Sequence, residues 1–225
     1  MATPLDVVHL EETASTMDEA RSRVGEAPLL VTAARQTGGR GRTGHAWVHA
    51  DRAVATSLAV RLPWPAESLA VVPLVSGLAA AATFAVRLKW PNDLVRGASK
   101  VGGILVESDG DLVVIGMGVN LYWPSPMEGA AALFSEDPGD DASRSFAVRW
   151  GLQGLARLDR GPTDWGRDEY ERSCTTLGTE ITWDPNGSGR AIGVDERGGL
   201  IVETPEGTVV LDSGEVRHVR VASSE

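Results

Sequence analysis

The pattern of apolar segments changes near residue 177, and this change limits the folds that the chain can adopt. Before that point, short runs with strand character alternate with longer runs with helical character, which is typical of an α/β fold. After Gly178, five short β-like runs follow one another within about 45 residues. Closely spaced short strands favour a small β-barrel. We therefore predict an α/β domain over residues 1–177 and a small β-barrel domain over residues 178–225.

Several elements of the first domain can be placed from local signals. Ser15 and Thr16 precede Asp18 and Glu19 at the spacing of a helix N-cap, which predicts a helix to about Val24. Two apolar runs, 101–107 and 112–120, are separated by Ser-Asp-Gly-Asp, which predicts a β-hairpin. The remaining predictions are strands at 28–34, 54–62 and 86–90, a buried helix at 67–85, and two helices opened by hydroxyl residues at 143–158 and 163–177.

Charge and composition exclude several classes of protein. The chain has 31 acidic and 21 basic residues, a formal net charge of -10, which argues against general nucleic-acid binding or attachment to a membrane surface. No apolar run reaches the roughly 20 residues of a membrane span, and the N-terminus has no signal-peptide pattern, so we expect a cytoplasmic protein. A single cysteine, Cys174, excludes a disulfide framework and a thiolate zinc cluster.

Residues 39–44, Gly-Arg-Gly-Arg-Thr-Gly, are named here the glycine–arginine loop. They match the G-x-G-x-x-G pattern of dinucleotide sites, but that site needs a helix starting within the motif, and residues 45–49 have no helical character. The glycines let a backbone close over a ligand, and the guanidinium groups of Arg40 and Arg42 recognise phosphate or carboxylate. A solvated hairpin tip with incidental arginines is the alternative interpretation.

Lysine occurs at only two positions, Lys89 and Lys100, although the chain has 21 basic residues. Lys89 opens the motif Lys-Trp-Pro-Asn-Asp, which brings a cation and the oxygens of Asn92 and Asp93 to one sheet edge. Such a group can hold a nucleotide with Mg²⁺, although a plain charged turn explains it as well. Lys100 begins an apolar strand whose Gly102 and Gly103 let a ligand approach the backbone.

These motifs, in this order, resemble the catalytic part of the biotin–protein ligases. The resemblance covers nearly the whole chain. It implies an α/β catalytic domain with a mixed sheet, and its final pieces resemble the family's small SH3-like C-terminal barrel. Because the catalytic pattern starts within about ten residues of the N-terminus, we expect the type without a DNA-binding domain. The matching segments are residues 15–17, 36, 39–44, 47, 89–94, 100–107, 116–120, 194–200 and 213–216.

The resemblance implies an ATP-dependent enzyme that makes biotinyl-5′-adenylate and then transfers biotin to a lysine of a biotin carboxyl carrier protein. It implies that the reaction requires ATP and Mg²⁺, with Asn92 and Asp93 as candidate metal ligands. It implies no nucleic-acid or membrane partner, and it leaves the oligomeric state open. Lys100 and Arg42 are the implied catalytic residues. The implied biotin-binding residues are Ser15, Thr16, Met17, Gln36, Arg40, Gly41, Arg42, Trp47, Lys100, Gly102 and Gly103. The implied ATP-binding residues are Arg40, Arg42, Lys89, Asn92, Asp93, Lys100 and Asn120.

Two other functions remain open at this point. One is a lipoate or octanoate ligase or transferase, since those families share the architecture and also join an acyl chain to a carrier lysine. The other is a non-catalytic binder of biotinyl-adenylate. The second is kept open by two departures from the family pattern: His45 replaces a usual arginine, and the segment 48–56 is about one residue short. Met17, where asparagine is common, is a further departure from the pattern.

Overall fold

The computed structural model describes residues 4–44, 46–48, 50–184, 187–212 and 219–221. The helices are α1 Thr16–Arg23, α2 Val72–Phe84, α3 Asp140–Leu158 and α4 Arg167–Ser173. Strands of the first sheet are β1 Asp6–Thr13, β2 Leu29–Gln36, β3 Arg52–Arg61, β4 Arg87–Lys89, β5 Asp93–Arg96, β6 Ser99–Asp109 and β7 Leu112–Tyr122. Strands of the second sheet are β8 Glu180–Trp183, β9 Gly187–Val194, β10 Leu200–Thr204, β11 Gly207–Leu211 and β12 Val219–Val221.

The first sheet is mixed and has seven strands in the order β1-β2-β3-β7-β6-β5-β4. Strands β1 and β2 are parallel, and every other neighbouring pair is antiparallel. The core on one face joins the sheet to α2 and α3, whereas α1 packs on the opposite face over β2, β3 and β7. Because α1 has only eight residues, it covers a part of its face, and the site described below uses the remainder.

The predicted α/β class with a mixed sheet is confirmed, but two strands were not predicted. Strand β1 lies at the sheet edge, and its mostly exposed and partly exposed residues lack the apolar run that marks a buried strand. Strand β5 has four residues directly after Pro91 and Asn92, where the turn signal dominates. The hairpin prediction is confirmed, since β6 and β7 pair from Asp109–Leu112 onwards.

The predicted starts of the last two helices were wrong. Helix α3 begins at Asp140 after Gly139, and α4 begins after Gly166, so neither is opened by a hydroxyl residue. Ser143 is buried inside α3, and a short 3-10 turn, Pro162–Asp164, precedes α4. In the predicted helix 67–85, the first residues likewise form a 3-10 helix, Ala66–Val71. Both helices start after a glycine and have no side-chain hydrogen bond at the N-cap, so the hydroxyl residues marked helical segments without marking where they begin.

The second sheet is antiparallel, with the strand order β11-β10-β9-β8-β12, and its buried residues join the main core. Two tryptophans from outside this sheet hold the loop between β9 and β10. The indole Nε1 of Trp90 donates to the Gly198 carbonyl at 2.9 Å, and that of Trp165 donates to the Glu196 carbonyl at 3.0 Å. The boundary at residue 177 lies between α4 and β8 and stays a prediction.

One segment, Ala66–Phe84, has 19 residues and a mean hydropathy of 1.6, enough to cross a membrane by length and composition. Most of it is buried inside the protein, where α2 packs on α3 and on the sheet. Its apolar character is therefore explained by its position in the core.

We expect Trp90→Phe to lower the free energy of unfolding by about 1–3 kcal/mol, because the substitution leaves the buried Gly198 carbonyl without its donor. Urea denaturation followed by circular dichroism measures this loss. Trp64→Phe, at a half-buried tryptophan against the same core, is the control. Equal denaturation midpoints for Trp90→Phe and the wild-type protein would contradict the role of this hydrogen bond.

Candidate functional site

A row of small residues crosses the face of the sheet that α1 leaves uncovered. Directly paired residues of neighbouring strands place their side chains on the same face. The pairs run from Ala33 on β2 to Ala55 on β3, Gly118 on β7, Gly103 on β6 and Asp93 on β5. Strands lie about 4.8 Å apart, so from β3 to β5 this row spans about 14 Å. The row forms a shallow trough, and its floor is largely backbone.

Two glycines of β7 keep space above the sheet for other side chains. A Cβ at Gly116 would lie 2.8 Å from the Met17 sulfur, and one at Gly118 would lie 2.8 Å from the Trp47 indole. Trp47 comes from the segment after the glycine–arginine loop, and its backbone N–H donates to the Gly39 carbonyl at 2.9 Å. The indole therefore lies on the trough, against Gly118 and Gly103.

Hydroxyl and amide groups line one end of the trough, where α1 begins. Ser15 is the N-cap of α1, and the next residue, Thr16, donates from both its backbone N–H and its hydroxyl to the Gln36 Oε1, at 2.8 and 3.0 Å. The Thr16 hydroxyl also lies 2.8 Å from that of Ser57. Because the Thr16 proton is used by Gln36, the Ser57 hydroxyl is the donor in this pair. These buried contacts fix the orientation of the Gln36 amide.

Cations meet at the other end of the trough, next to Asp93. The Lys100 ammonium lies 2.5 Å from the Asp93 carboxylate and 5.9 Å from the centroid of the Trp47 ring. Arg42, from the glycine–arginine loop, donates to the Asn92 Oδ1 at 3.4 Å. Burial lowers the pKa of the Arg42 guanidinium, and the nearby Asp93 charge opposes this shift. This end therefore presents two positive groups to an anionic ligand, with one carboxylate between them.

A cleft of about 540 Å³ adjoins the cationic end, which is a typical size for a small-molecule site. Arg40 and Gly41 of the glycine–arginine loop line it together with Arg42 and Asn92. The Arg40 guanidinium is held by Asp18 through two hydrogen bonds of 2.8 Å.

Two other candidate residues lie at the margin of this arrangement. Lys89 pairs with Asp93 in the register of β4 and β5, so it extends the row to the sheet edge. Asn120 is two residues beyond Gly118 on β7, is buried, and donates to the Ala131 carbonyl at 3.0 Å. Neither residue lines the cleft, and their assignment to ATP stays a prediction.

The candidate metal ligands Asn92 and Asp93 each have one oxygen that faces a cation. The Asn92 Oδ1 accepts from Arg42 and the Asp93 Oδ1 pairs with Lys100, so a metal bound here would share these oxygens with two positive groups. Their assignment as metal ligands stays a prediction. Within the described part of the chain there is also no group of three His, Cys, Asp or Glu residues suited to a metal. Mg²⁺ is commonly bound through substrate phosphates, and that route does not require such a group.

The structure thus brings most of the predicted residues to one trough and its adjoining cleft. Gly102 serves this site indirectly, because a Cβ there would lie 2.6 Å from the Gly118 carbonyl, so the glycine allows β6 and β7 to approach. Sequence reasoning missed Ser57 and the small-residue row. A buried serine within the predicted strand 54–62 was the available signal for Ser57. His45, the Thr43 side chain and residues 213–216, all used in the sequence comparison, lie outside the described residues.

Comparisons with known proteins agree with this geometry. Residues 8–120 match the model of the Biotin/lipoate A/B protein ligase family, and residues 184–219 match that of the Biotin protein ligase C terminal domain. The biotin–[acetyl-CoA-carboxylase] ligase of Mycobacterium tuberculosis is 29% identical over 96% of this chain and 89% of its own length.

Solved structures give the same fold. The biotin protein ligase from Aquifex aeolicus, in complex with biotin and ATP, superposes with a TM-score of 0.79 at 24% identity, covering 96% of this chain and 99% of that one. The biotin protein ligase from Leishmania major, in complex with biotinyl-5-AMP, has a TM-score of 0.61 at 26% identity over 93% and 100% of the two chains.

We expect Gly118→Ala to displace the Trp47 indole from the trough, because the new methyl group would lie within 3 Å of the ring. The glycine–arginine loop, which ends beside Trp47, would then be cut by trypsin after Arg40 and Arg42 about three- to tenfold faster. Mass spectrometry of timed digests measures the rate. Gly25→Ala is the control, since a Cβ at Gly25 meets no atom within 4 Å. Equal cleavage rates in both variants would refute the contact.

Proposed function

Because the chain belongs to the Biotin/lipoate A/B protein ligase family, we propose that it activates biotin with ATP and transfers the biotinyl group to a carrier protein. The observation that carries this proposal is the trough with hydroxyl and amide groups at one end and Lys100 and Arg42 at the other. Biotin has matching chemistry: a ureido group, an apolar body and a terminal carboxylate.

The polar end suits the ureido group. Its carbonyl and two N–H groups need complementary partners, because a buried polar group left unpaired costs about 1–3 kcal/mol. Ser15, Thr16 and Gln36 supply hydroxyl and amide groups, and Ser57 orients Thr16. Met17, Trp47 and the glycine backbone of β6 and β7 supply apolar walls for the bicycle and the valeryl chain.

The cationic end suits the first chemical step. A carboxylate oxygen of biotin attacks the α-phosphorus of ATP, the bond to the β-phosphate breaks, and pyrophosphate leaves with the electron pair. Two anions must approach each other, so nearby positive charge lowers the barrier, and fixed charges gain strength where water is excluded. Lys100 contacts the carboxylate and the α-phosphate, with Arg42 and Arg40 on the phosphate side. Lys89, Asn92, Asp93 and Asn120 surround the nucleotide.

In the second step a lysine amine of the carrier attacks the biotinyl carbonyl, an amide bond forms, and AMP leaves. The carrier is the biotin carboxyl carrier domain of a carboxylase. Mg²⁺ enters bound to the phosphates of ATP as part of the substrate. The reaction takes place in the cytoplasm, without a nucleic-acid or membrane partner. The similarity to a named biotin–[acetyl-CoA-carboxylase] ligase supports the choice of carrier.

Biotin is favoured over lipoate by the polar end of the trough. Lipoate carries an apolar dithiolane in place of the ureido group, so it offers no N–H or carbonyl group to pair with the hydroxyl and amide groups at this end of the trough. The ordered motifs around Arg42 and Lys100 also match the biotin branch of the family. A protein that only binds the adenylate would not carry out the first step, so an assay of pyrophosphate release distinguishes it from an enzyme.

We expect biotin, but not lipoate, to trigger pyrophosphate release from ATP and Mg²⁺. Lys100→Ala and Arg42→Ala should each reduce this release by about 100-fold or more, the usual effect of removing one group that stabilises transition-state charge. Coupled pyrophosphate detection measures the rate.

Arg61→Ala is the matched control, because Arg61 is an exposed arginine whose ion pair with Asp111 lies at the far end of β3. Its rate should equal that of the wild-type protein. Lipoate-dependent release alone would reassign the substrate. Biotin binding by calorimetry without any pyrophosphate release would identify a binder.

A further inference from the structure

Four alternating charges connect the glycine–arginine loop to the rest of the site. Arg40 makes two hydrogen bonds of 2.8 Å to the Asp18 carboxylate and lies 3.5 Å from Glu107. Glu107 in turn pairs with Arg21 at 2.5 Å. Asp18 and Arg21 are three residues apart on α1, a spacing that places them on one face of the helix. The chain of charges therefore starts and ends on α1 and passes through the loop.

The two carboxylates come from the elements that flank the site. Asp18 directly follows Met17 and is two residues from Thr16. Glu107 lies on β6, the strand that also carries Gly103, and it lines the cleft. Arg40 therefore bridges from the loop to both sides. The Arg40 contact lowers the pKa of the Asp18 carboxyl group, and the same contact raises the pKa of Arg40, so the pair stays charged at neutral pH.

We propose that Asp18 and Glu107 are positioning residues that hold Arg40 and so keep the glycine–arginine loop closed over the cleft. An isolated surface ion pair contributes little, but a bidentate arginine–carboxylate pair within a network is the favourable case. The consequence for catalysis rests on the proposed function: the closed loop retains the reactive adenylate until the carrier arrives. Water is then kept away from a mixed anhydride that it would hydrolyse.

The first test measures the loop without any ligand. Asp18→Asn removes the charge and keeps the side-chain size, so amide hydrogen exchange in peptides covering residues 38–44 should become about three- to tenfold faster. Asp18→Glu keeps the charge and should restore slow exchange. In 1 M salt the difference in exchange rate between Asp18→Asn and the wild-type protein should shrink, because salt also screens the ion pairs of the wild-type protein.

The matched control is Asp164→Asn, which breaks another bidentate pair, Arg160 to Asp164, away from the cleft. Its exchange in residues 38–44 should equal that of the wild-type protein. Peptides covering residues 19–24 report whether α1 itself has frayed. Exchange in residues 38–44 that is as slow in Asp18→Asn as in Asp164→Asn would overturn the proposal, as would equal acceleration in the α1 peptides.

The second test measures retention of the adenylate. Protein preloaded with biotin and ATP is separated from free ligand, and release of biotinyl-5′-adenylate into solution is followed with time. Release from Asp18→Asn should be about three- to tenfold faster than from wild type, and Glu107→Gln should act in the same direction. Faster exchange with unchanged release would overturn the retention role. If the wild-type protein forms no adenylate, the proposed function fails, whereas the ligand-free exchange still decides whether the ion pairs hold the loop.

Discussion

The missing side chains at Gly103, Gly116 and Gly118 are the constraint on which the site depends. The opposite face of the same strands packs into a dense core with α2 and α3, so the sheet cannot shift to make room. Space for a ligand therefore exists only where the sequence omits side chains from the face beside α1. Met17 and Trp47 use part of that space, and each would collide with a methyl group on β7. Because these positions have no side chain, a ligand and the residues that cover it can lie directly against the backbone of the sheet.

The site concentrates positive charge in a chain that is acidic overall. The protein carries a net charge of -10, yet Arg42 and Lys100 meet at one end of the trough, and Arg40 lines the adjoining cleft. Each of these cations lies beside an acidic or amide oxygen, which stabilises the cluster before an anion binds. An incoming carboxylate or phosphate competes with Asp93 for Lys100, so binding exchanges one anionic partner for another. The site can thus hold positive charge in a ligand-free protein without a large electrostatic penalty.

The small second sheet is attached directly to the turn that carries Asn92 and Asp93. Trp90 precedes that turn, and its buried indole is hydrogen-bonded to the Gly198 carbonyl of the loop between β9 and β10. Its backbone N–H also donates to Thr176 at 3.0 Å. Removing these contacts would loosen the turn on which the cationic end of the trough is built. The loop between β9 and β10 of the second sheet thereby supports the geometry of the site while lying outside it.

The sequence by itself determined the mixed α/β class, the hairpin of β6 and β7, and most of the candidate site. Glycines, a hydroxyl N-cap and two isolated lysines are local signals, because each residue type has a strong conformational or chemical preference. Strands β1 and β5 and the starts of α3 and α4 were missed, since pairing and packing decided them against weak local preferences. Only the tertiary structure aligned Ala33, Ala55, Gly118, Gly103 and Asp93 in one row, because that alignment depends on the register of five strands. The same is true of Ser57 beside Thr16 and of Asp18 beside Arg40: residues distant in sequence become partners through strand order, which no local pattern encodes.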